Sequence, residues 1–182
     1  EARVVIEDVA SANQAPVWLM GRDIILTESK NGHTVEVPGG TFTNLSPNLL
    51  GDMQPHNMAL AVAALVASGA LRDPSQIQDG LSNTRIPARM QSVWAKGVQW
   101  MIDGAHNIDS ALHLARSLQG KKFIVLAGML EGHEALPFFQ SISKLCESVR
   151  IVPIQDPRSL RPEDLATAIQ TNGITTHEHS TL

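Results

Sequence analysis

The stretch Asp103-Gly104-Ala105-His106-Asn107 gathers a carboxylate, a glycine, an imidazole and an amide within five residues. It follows the apolar run VQWMI (98–102) and precedes NIDSALHLARSLQG, whose apolar residues recur at helical spacing. A helix that begins at such a turn has first N–H groups without intrahelical partners, and its dipole puts positive charge there. A phosphate, a ribose hydroxyl or a carboxylate is favoured at that point. Gly104 lets the backbone turn and approach a ligand closely. The same residues also suit an ordinary turn, with Asp103 and Asn107 as turn and cap residues and His106 packed. Position alone leaves both readings open.

Three apolar runs of strand length must carry this turn: VQWMI, KFIVLAGM (122–129) and VRIVPI (149–154). NIDSALHLARSLQG and HEALPFFQSISKLCES lie between them, and RPEDLATAIQTNG follows, with Pro162 early and Gly173 late. Alternating buried strands and helices predict βαβ units and a parallel sheet covered on both faces. Ligands of such sheets sit outside the carboxyl ends of the strands, where Asp103–Asn107 would lie.

The first half reads differently. Val5, Ile6, Val9 and Ala10 form a helical stripe. APVWLMG, DIILTES and HTVEVPGG read as short strands, with an Asn-Gly hairpin signal in KNGH, and TFTNL as a further strand. PHNMALAVAALVAS is apolar on nearly every side, which predicts a helix buried on most faces. Asp73 and Pro74 are placed to open a shorter helix. The boundary between the two regions is expected near residues 80–87.

Composition excludes several classes. Of 182 residues, 43% are hydrophobic and 18% charged, with a net charge of −4, an ordinary globular balance. No basic run supplies the cationic patch that nucleic-acid binding needs. No apolar stretch approaches the ~20 residues of a membrane span. The single cysteine, Cys146, sits in a helix-periodic stretch and reads as a small buried hydrophobe; without a disulfide framework, a cytoplasmic protein is expected. The chain starts at Glu1 in a helical pattern, shows no secretory leader and stops at HEHSTL, so it reads as a piece of a longer protein.

Taken in order, five motifs resemble the folylpolyglutamate synthase and dihydrofolate synthase family of the Mur ligase superfamily. MIDGAHNIDSALHLARSL resembles its Asp-Gly-Ala-His-Asn segment. LLGDMQPHNMALAVAAL is similar to its Gly-x-His-Gln-x-x-Asn helix start, with Gly51, Gln54 and Asn57 in register. RIPARMQ matches Pro-Gly-Arg-x-Glu at Pro87 and Arg89, VLAGMLEGHE parallels Gly-Met-Leu-x-x-Lys-Asp, and DPRSLRPEDL a later Pro-Arg stretch. The resemblance implies an α/β chain: the end of a P-loop-type central ATPase domain with a small antiparallel β region (1–84), then a Rossmann-like, mostly parallel C-terminal domain (85–182), truncated.

The activity implied is ATP-dependent amide synthesis. A folate, folylpolyglutamate or dihydropteroate carboxylate becomes an acyl phosphate, and the amino group of L-glutamate attacks it. Positioned cations must offset charge on the phosphoryl group, and closing domains must exclude water. By the resemblance, Asn57, Arg89 and Asp103 bind the nucleotide, with Gln54, His106, Asn107 and His133 in support. No residue is singled out as catalytic. No Gly-x-x-x-x-Gly-Lys-Ser/Thr loop is present, so the P-loop and the Mg2+ ligands are expected upstream, no metal site is expected in this stretch, and the piece alone is expected not to turn over ATP. A monomer without nucleic-acid or membrane partners is expected.

Some positions depart from the family pattern. Met53 stands where His is usual, Ala88 for Gly, Gln91 for Glu, and His133 and Glu134 for Lys and Asp. Two other readings stay open: a cell-wall Mur ligase acting on a nucleotide-linked peptide, and a non-catalytic Rossmann-like module that recognises a small anion or a partner. The Asp-Gly-Ala-His-Asn wording and the Gln54-to-Asn57 spacing favour the folate branch. The imidazoles of His177 and His179 alternate as if on a strand, where solvated side chains are the simpler expectation than a metal pair.

Overall fold

The computed structural model describes residues 2–71 and 73–179. The chain is α/β and divides into two compact units, Glu1–Ile86 and Pro87–Leu182.

The first unit is built on an antiparallel meander of β1 (Ile25–Ser29), β2 (Gly32–Val37) and β3 (Gly40–Leu45). The KNGH hairpin signal holds: Ser29 pairs with Gly32 across Lys30-Asn31. APVWLMG forms no strand and contributes only an isolated bridge between Met20 and Ile24. Helix α1 (Ala2–Ala12) precedes the sheet; α2 (Gln54–Ala67) and α3 (Gln76–Asn83) follow it. Val35, Leu45, Met58, Ala59, Val62 and Ile77 make the core. Helix α2 was expected to be buried on most faces, yet it buries one stripe, Met58, Ala59, Val62 and Ala63, while Leu60 and Leu65 are exposed. A single three-stranded sheet covers only one side of a helix. The stripe of α1 is also open, with Val5, Ile6 and Val9 more than half exposed. Asp73 and Pro74 lie ahead of α3 rather than in its cap and first turn: Ser75 is the N-cap, without a side-chain cap bond, and Asp73 Oδ1 instead accepts from the Ser75 N–H (2.9 Å) and hydroxyl (2.7 Å) in the turn before the helix.

The second unit contains β4 (Gln91–Ala95), β5 (Val98–Ile102), α4 (Ile108–Ser117), β6 (Phe123–Ala127), α5 (Ala135–Ile142), β7 (Cys146–Ile151), α6 (Pro162–Gln170) and β8 (Thr176–Glu178). The parallel sheet has the order β6-β7-β8. VQWMI is not one of its strands. As β5 it pairs antiparallel with β4, in the register Ala95↔Val98 to Gln91↔Ile102. The cause is local: Lys96 (φ 50°) and Gly97 (φ 75°) both adopt left-handed backbone, the requirement of a tight type I′ hairpin. Apolar side chains alone did not reveal this, because Trp94, Val98, Trp100 and Ile102 are exposed.

The parallel sheet is buried on one face rather than two. Val149 and Ile151 point into a core with Phe139, Ile142, Leu165 and Ile169, while Ile124 and Leu126 alternate outward. Cys146 is the first residue of β7, after a 3₁₀ turn at Ser143–Leu145, not part of a helix. It is buried as expected of a small hydrophobe, and burial pushes its thiol up to about 11. Among the described residues, no helix is long and apolar enough to cross a membrane.

Candidate functional site

The second unit opens with a tightly wound segment. Ala88 (φ 56°) and Met90 (φ 45°) are left-handed, which turns residues 88–90 against the turn after β5. The Gly104 N–H donates to the Ala88 carbonyl at 2.9 Å. Asp103 joins the two arms: Oδ2 accepts from the Met90 N–H and Oδ1 from the Ala105 N–H, both at 2.8 Å. Arg89 Nη1 lies 3.4 Å from where a Cβ on Gly104 would stand, so the guanidinium rests against this turn. The Gln91 side-chain oxygen accepts from the Ala88 N–H at 3.1 Å, a bond that a glutamate would also make.

Asn107 caps α4. Its side chain accepts from the Ser110 N–H at 2.8 Å, and the Ser110 hydroxyl accepts from the Asn107 N–H at 3.1 Å, closing a capping box. His106 Nδ1 lies 2.8 Å from the Gly104 carbonyl. A carbonyl only accepts, so Nδ1 carries the proton and Nε2 is left to face outward. The His106 ring meets that of His133 at 5.2 Å between centroids and 63° between planes.

His133 belongs to the loop between β6 and α5. That loop is tied to the one after β7: Glu131 N–H donates to the Arg158 carbonyl (2.7 Å) and Leu160 N–H to that of Met129 (2.8 Å). At Gly128 they pass too closely for a side chain, since a Cβ there would stand 2.7 Å from the Val152 carbonyl oxygen. Asp103–Asn107 therefore does reach the carboxyl ends of the parallel strands. It does so through the histidine contact, not as the end of one of those strands.

In the first unit, Gln54 and Asn57 occupy the first turn of α2, where Asn57 Nδ2 donates to Gln54 Oε1 at 3.3 Å. Met53 is the N-cap and makes no side-chain cap bond, its thioether sulfur being only a weak acceptor. Beside this helix start is a cavity of about 510 Å³, whose apolar lining of Met20, Ile24 and Leu26 is edged by Glu28, His33, Asp52 and His56. Sequence reasoning missed these four residues, because only the folded hairpin brings positions 28 and 33 to positions 52 and 56. It also missed Met90 and Ala88, whose backbone groups bind the predicted residues. The left-handed φ at Ala88 was signalled by the glycine usual there.

The arrangement suits an anion. One arginine and two imidazoles stand with a helix N-terminus at one end of the second unit, and Asp103 keeps lone pairs free for a hydroxyl. Among the described residues, no group of three or more His, Cys, Asp or Glu is placed to hold a metal ion. His177 and His179 are exposed, and His179 Nε2 lies 3.3 Å from Arg150 Nη1.

Residues 88–182 match the family model described as Mur ligase, glutamate ligase domain. The folylpolyglutamate synthase of Lacticaseibacillus casei is 28% identical over 87% of this chain and 40% of its own length. The UDP-N-acetylmuramoyl-L-alanyl-D-glutamate–2,6-diaminopimelate ligase of Aquifex aeolicus is 29% identical over 69% of this chain and 27% of its own. The solved structure of E. coli FolC in complex with DHPP and ADP superposes with a TM-score of 0.80 at 25% identity, covering 97% of this chain and 42% of that one. The chain thus spans less than half the length of these relatives. With the family's model matched over more than half of its residues, the chain belongs to the Mur ligase family and carries the glutamate ligase domain of that family.

Proposed function

We propose that the protein to which this chain belongs is an ATP-dependent ligase that joins L-glutamate to a folate, a folylpolyglutamate or dihydropteroate through an acyl phosphate. The observation that carries this reading is the convergence of Arg89, Asp103, His106 and His133 around the capped start of α4. In this reading Arg89 opposes phosphate charge, Asp103 accepts from a ribose hydroxyl, and Asn57, steadied by Gln54, contacts the nucleotide from the first unit. The first unit is the end of a central ATPase domain, and residues from 85 onward are the C-terminal domain. The P-loop and the Mg2+ ligands are assigned to sequence outside this chain, which alone does not turn over ATP. The folate branch is supported by the relatives in L. casei and E. coli. A cell-wall ligase has support of its own in the 29% identity to the A. aeolicus enzyme.

ADP release by the full-length protein decides between them. Folate or dihydropteroate with L-glutamate should support it, and a UDP-linked muramyl peptide with 2,6-diaminopimelate should not. Arg89→Ala and Asp103→Ala should each lower the rate at least about tenfold, equivalent to ~1.4 kcal/mol. Near-normal rates in both variants would remove the site assignment. Activity with the muramyl peptide alone would transfer the protein to the cell-wall branch, and turnover by the isolated chain would refute its incompleteness.

A further inference from the structure

Four residue pairs place glycine directly after an asparagine or aspartate: Asn31-Gly32, Asp79-Gly80, Asp103-Gly104 and Asn172-Gly173. Glycine leaves its own backbone nitrogen unshielded, so each pair has the atoms for attack of that nitrogen on the preceding side-chain carbonyl carbon. We propose that the fold suppresses this reaction at three of the pairs and leaves it open at Asn31, which makes the β1–β2 hairpin a site of spontaneous conversion to aspartate and isoaspartate. This is independent of the nucleotide reading above.

The three suppressed pairs are held by hydrogen bonds or by helix. Asn172 is half-buried, and its Nδ2 donates to the carbonyls of Leu136 (3.1 Å) and Ala168 (3.2 Å), while the Gly173 N–H donates to the Gln170 carbonyl at 2.8 Å. Asp103 has both oxygens engaged with backbone N–H groups, and the Gly104 N–H donates to Ala88. Asp79-Gly80 lies inside α3, whose backbone directs the Gly80 N–H along the helix. Asn31 differs on each count. It is exposed at the hairpin tip, and its side-chain amide has no hydrogen-bond partner among the described residues; only its backbone N–H reaches Ser29 Oγ, at 3.4 Å. Ser29↔Gly32 is the last rung of the ladder, and opening at a ladder's end frees the Gly32 N–H at little cost.

The Gly32 amide, having lost its proton to hydroxide, forms a bond to Asn31 Cγ. The Cγ–Nδ2 bond breaks, and the nitrogen leaves as ammonia after taking a proton from water. Water then opens the cyclic imide. Cutting the new bond to Cγ gives aspartate; cutting the bond to the main-chain carbonyl carbon sends the chain through Cβ and Cγ, one carbon longer, as isoaspartate. The hairpin has no slack for that carbon. A Cβ on Gly32 would stand 2.7 Å from the Leu45 carbonyl oxygen, so β3 closes that side, and the Gly32 carbonyl is tied to the Ser29 hydroxyl at 3.1 Å. The next rung, Glu28↔His33, must shift, and both of its residues edge the cavity beside the start of α2.

The test ages the full-length protein at 37 °C and pH 8. Peptide mapping by mass spectrometry, with cleavage that leaves residues 31 and 172 internal, follows each asparagine, and a protein-isoaspartate methyltransferase counts isoaspartate. In the folded protein Asn31 should convert at least about tenfold faster than Asn172, the factor that an opening cost of ~1.4 kcal/mol at Asn172 would impose. In urea the two Asn-Gly pairs should convert at comparable rates. Asn31→Gln should remove most of the isoaspartate formed by the folded protein, because its longer side chain closes a less favourable ring. Hydrogen exchange of residues 25–37 should quicken in the aged protein and stay slow in aged Asn31→Gln. Fresh Asn31→Asp, which has the charge without the longer chain, should also stay slow. Equal rates at 31 and 172 in the folded protein, or slower conversion at 31, would overturn the proposal. Conversion at Asn31 with unchanged exchange would overturn the shift in the hairpin and leave the modification site standing.

Discussion

Replacing Ala88 with glycine should make the protein more stable, although the same change in most places does the opposite. Ala88 sits at φ 56°, where a Cβ crowds the following carbonyl at a cost of roughly 1–2 kcal/mol for an L-residue. Glycine removes that cost and gives back ~0.4–1 kcal/mol through the larger entropy of its unfolded chain. Both backbone bonds of the residue, from the Gly104 N–H and to Gln91, survive the exchange. The net expectation is a gain of about 0.5–1 kcal/mol, or a rise of a few degrees in the melting of the second unit. Ala64, exposed within α2, supplies the control: there Ala→Gly should cost ~1 kcal/mol. Differential scanning calorimetry of both variants reads the two signs directly. If Ala88→Gly lowers the melting temperature as Ala64→Gly does, residue 88 is not held in left-handed backbone, and the winding of residues 88–90 that supports Arg89 is refuted.

Further outcomes follow from single sites. Gly128→Ala should destabilise the second unit by about 1–3 kcal/mol, since its Cβ would meet the Val152 carbonyl oxygen at 2.7 Å; an unchanged urea midpoint would show that the two loops do not pass so closely. The Cys146 thiol, raised by burial to about 11, should resist iodoacetamide in the native protein at pH 8 and react once the chain is unfolded, as mass spectrometry of the alkylated chain would record. The hydroxyl and then the N–H of Ser75 hold the Asp73 carboxyl below its usual value. Its contribution to stability is therefore present above the unfolded carboxylate pKa and lost as pH falls through the lower folded one. Asp73→Asn should remove that acid dependence, visible in helical circular dichroism between about pH 5 and 2.

Much of this was legible before folding because the signals were local. Asn107 announced a cap, Pro162 and Gly173 bracketed α6, and Lys30-Asn31-Gly32 announced a hairpin. What stayed hidden had two sources. VQWMI has the composition of a buried strand, and the local left-handed pair Lys96-Gly97, not its apolar side chains, commits it to β4; the rest depended on partners distant in the chain. The apolar surplus of α2 gave no hint that one sheet would cover one side of it. At the site, residue types were visible but not their duties. Asp103 reads either as a turn residue or as a ligand-binding carboxylate; the fold uses it at the turn, on the Ala105 N–H, and adds a bond to Met90 that the spacing did not reveal. Nothing in the spacing of positions 106 and 133 foretold that their rings would touch.

The bracing by Asp103 has a mechanical side. The arm it grips begins at Pro87, the first residue beyond the division of the two units, and carries Arg89 two positions later. Both neighbours of Arg89 are thus stitched to the loop of His106, Ala88 through the Gly104 N–H and Met90 through the Asp103 carboxylate, so a pull on the guanidinium is resisted by a seam on each side of it.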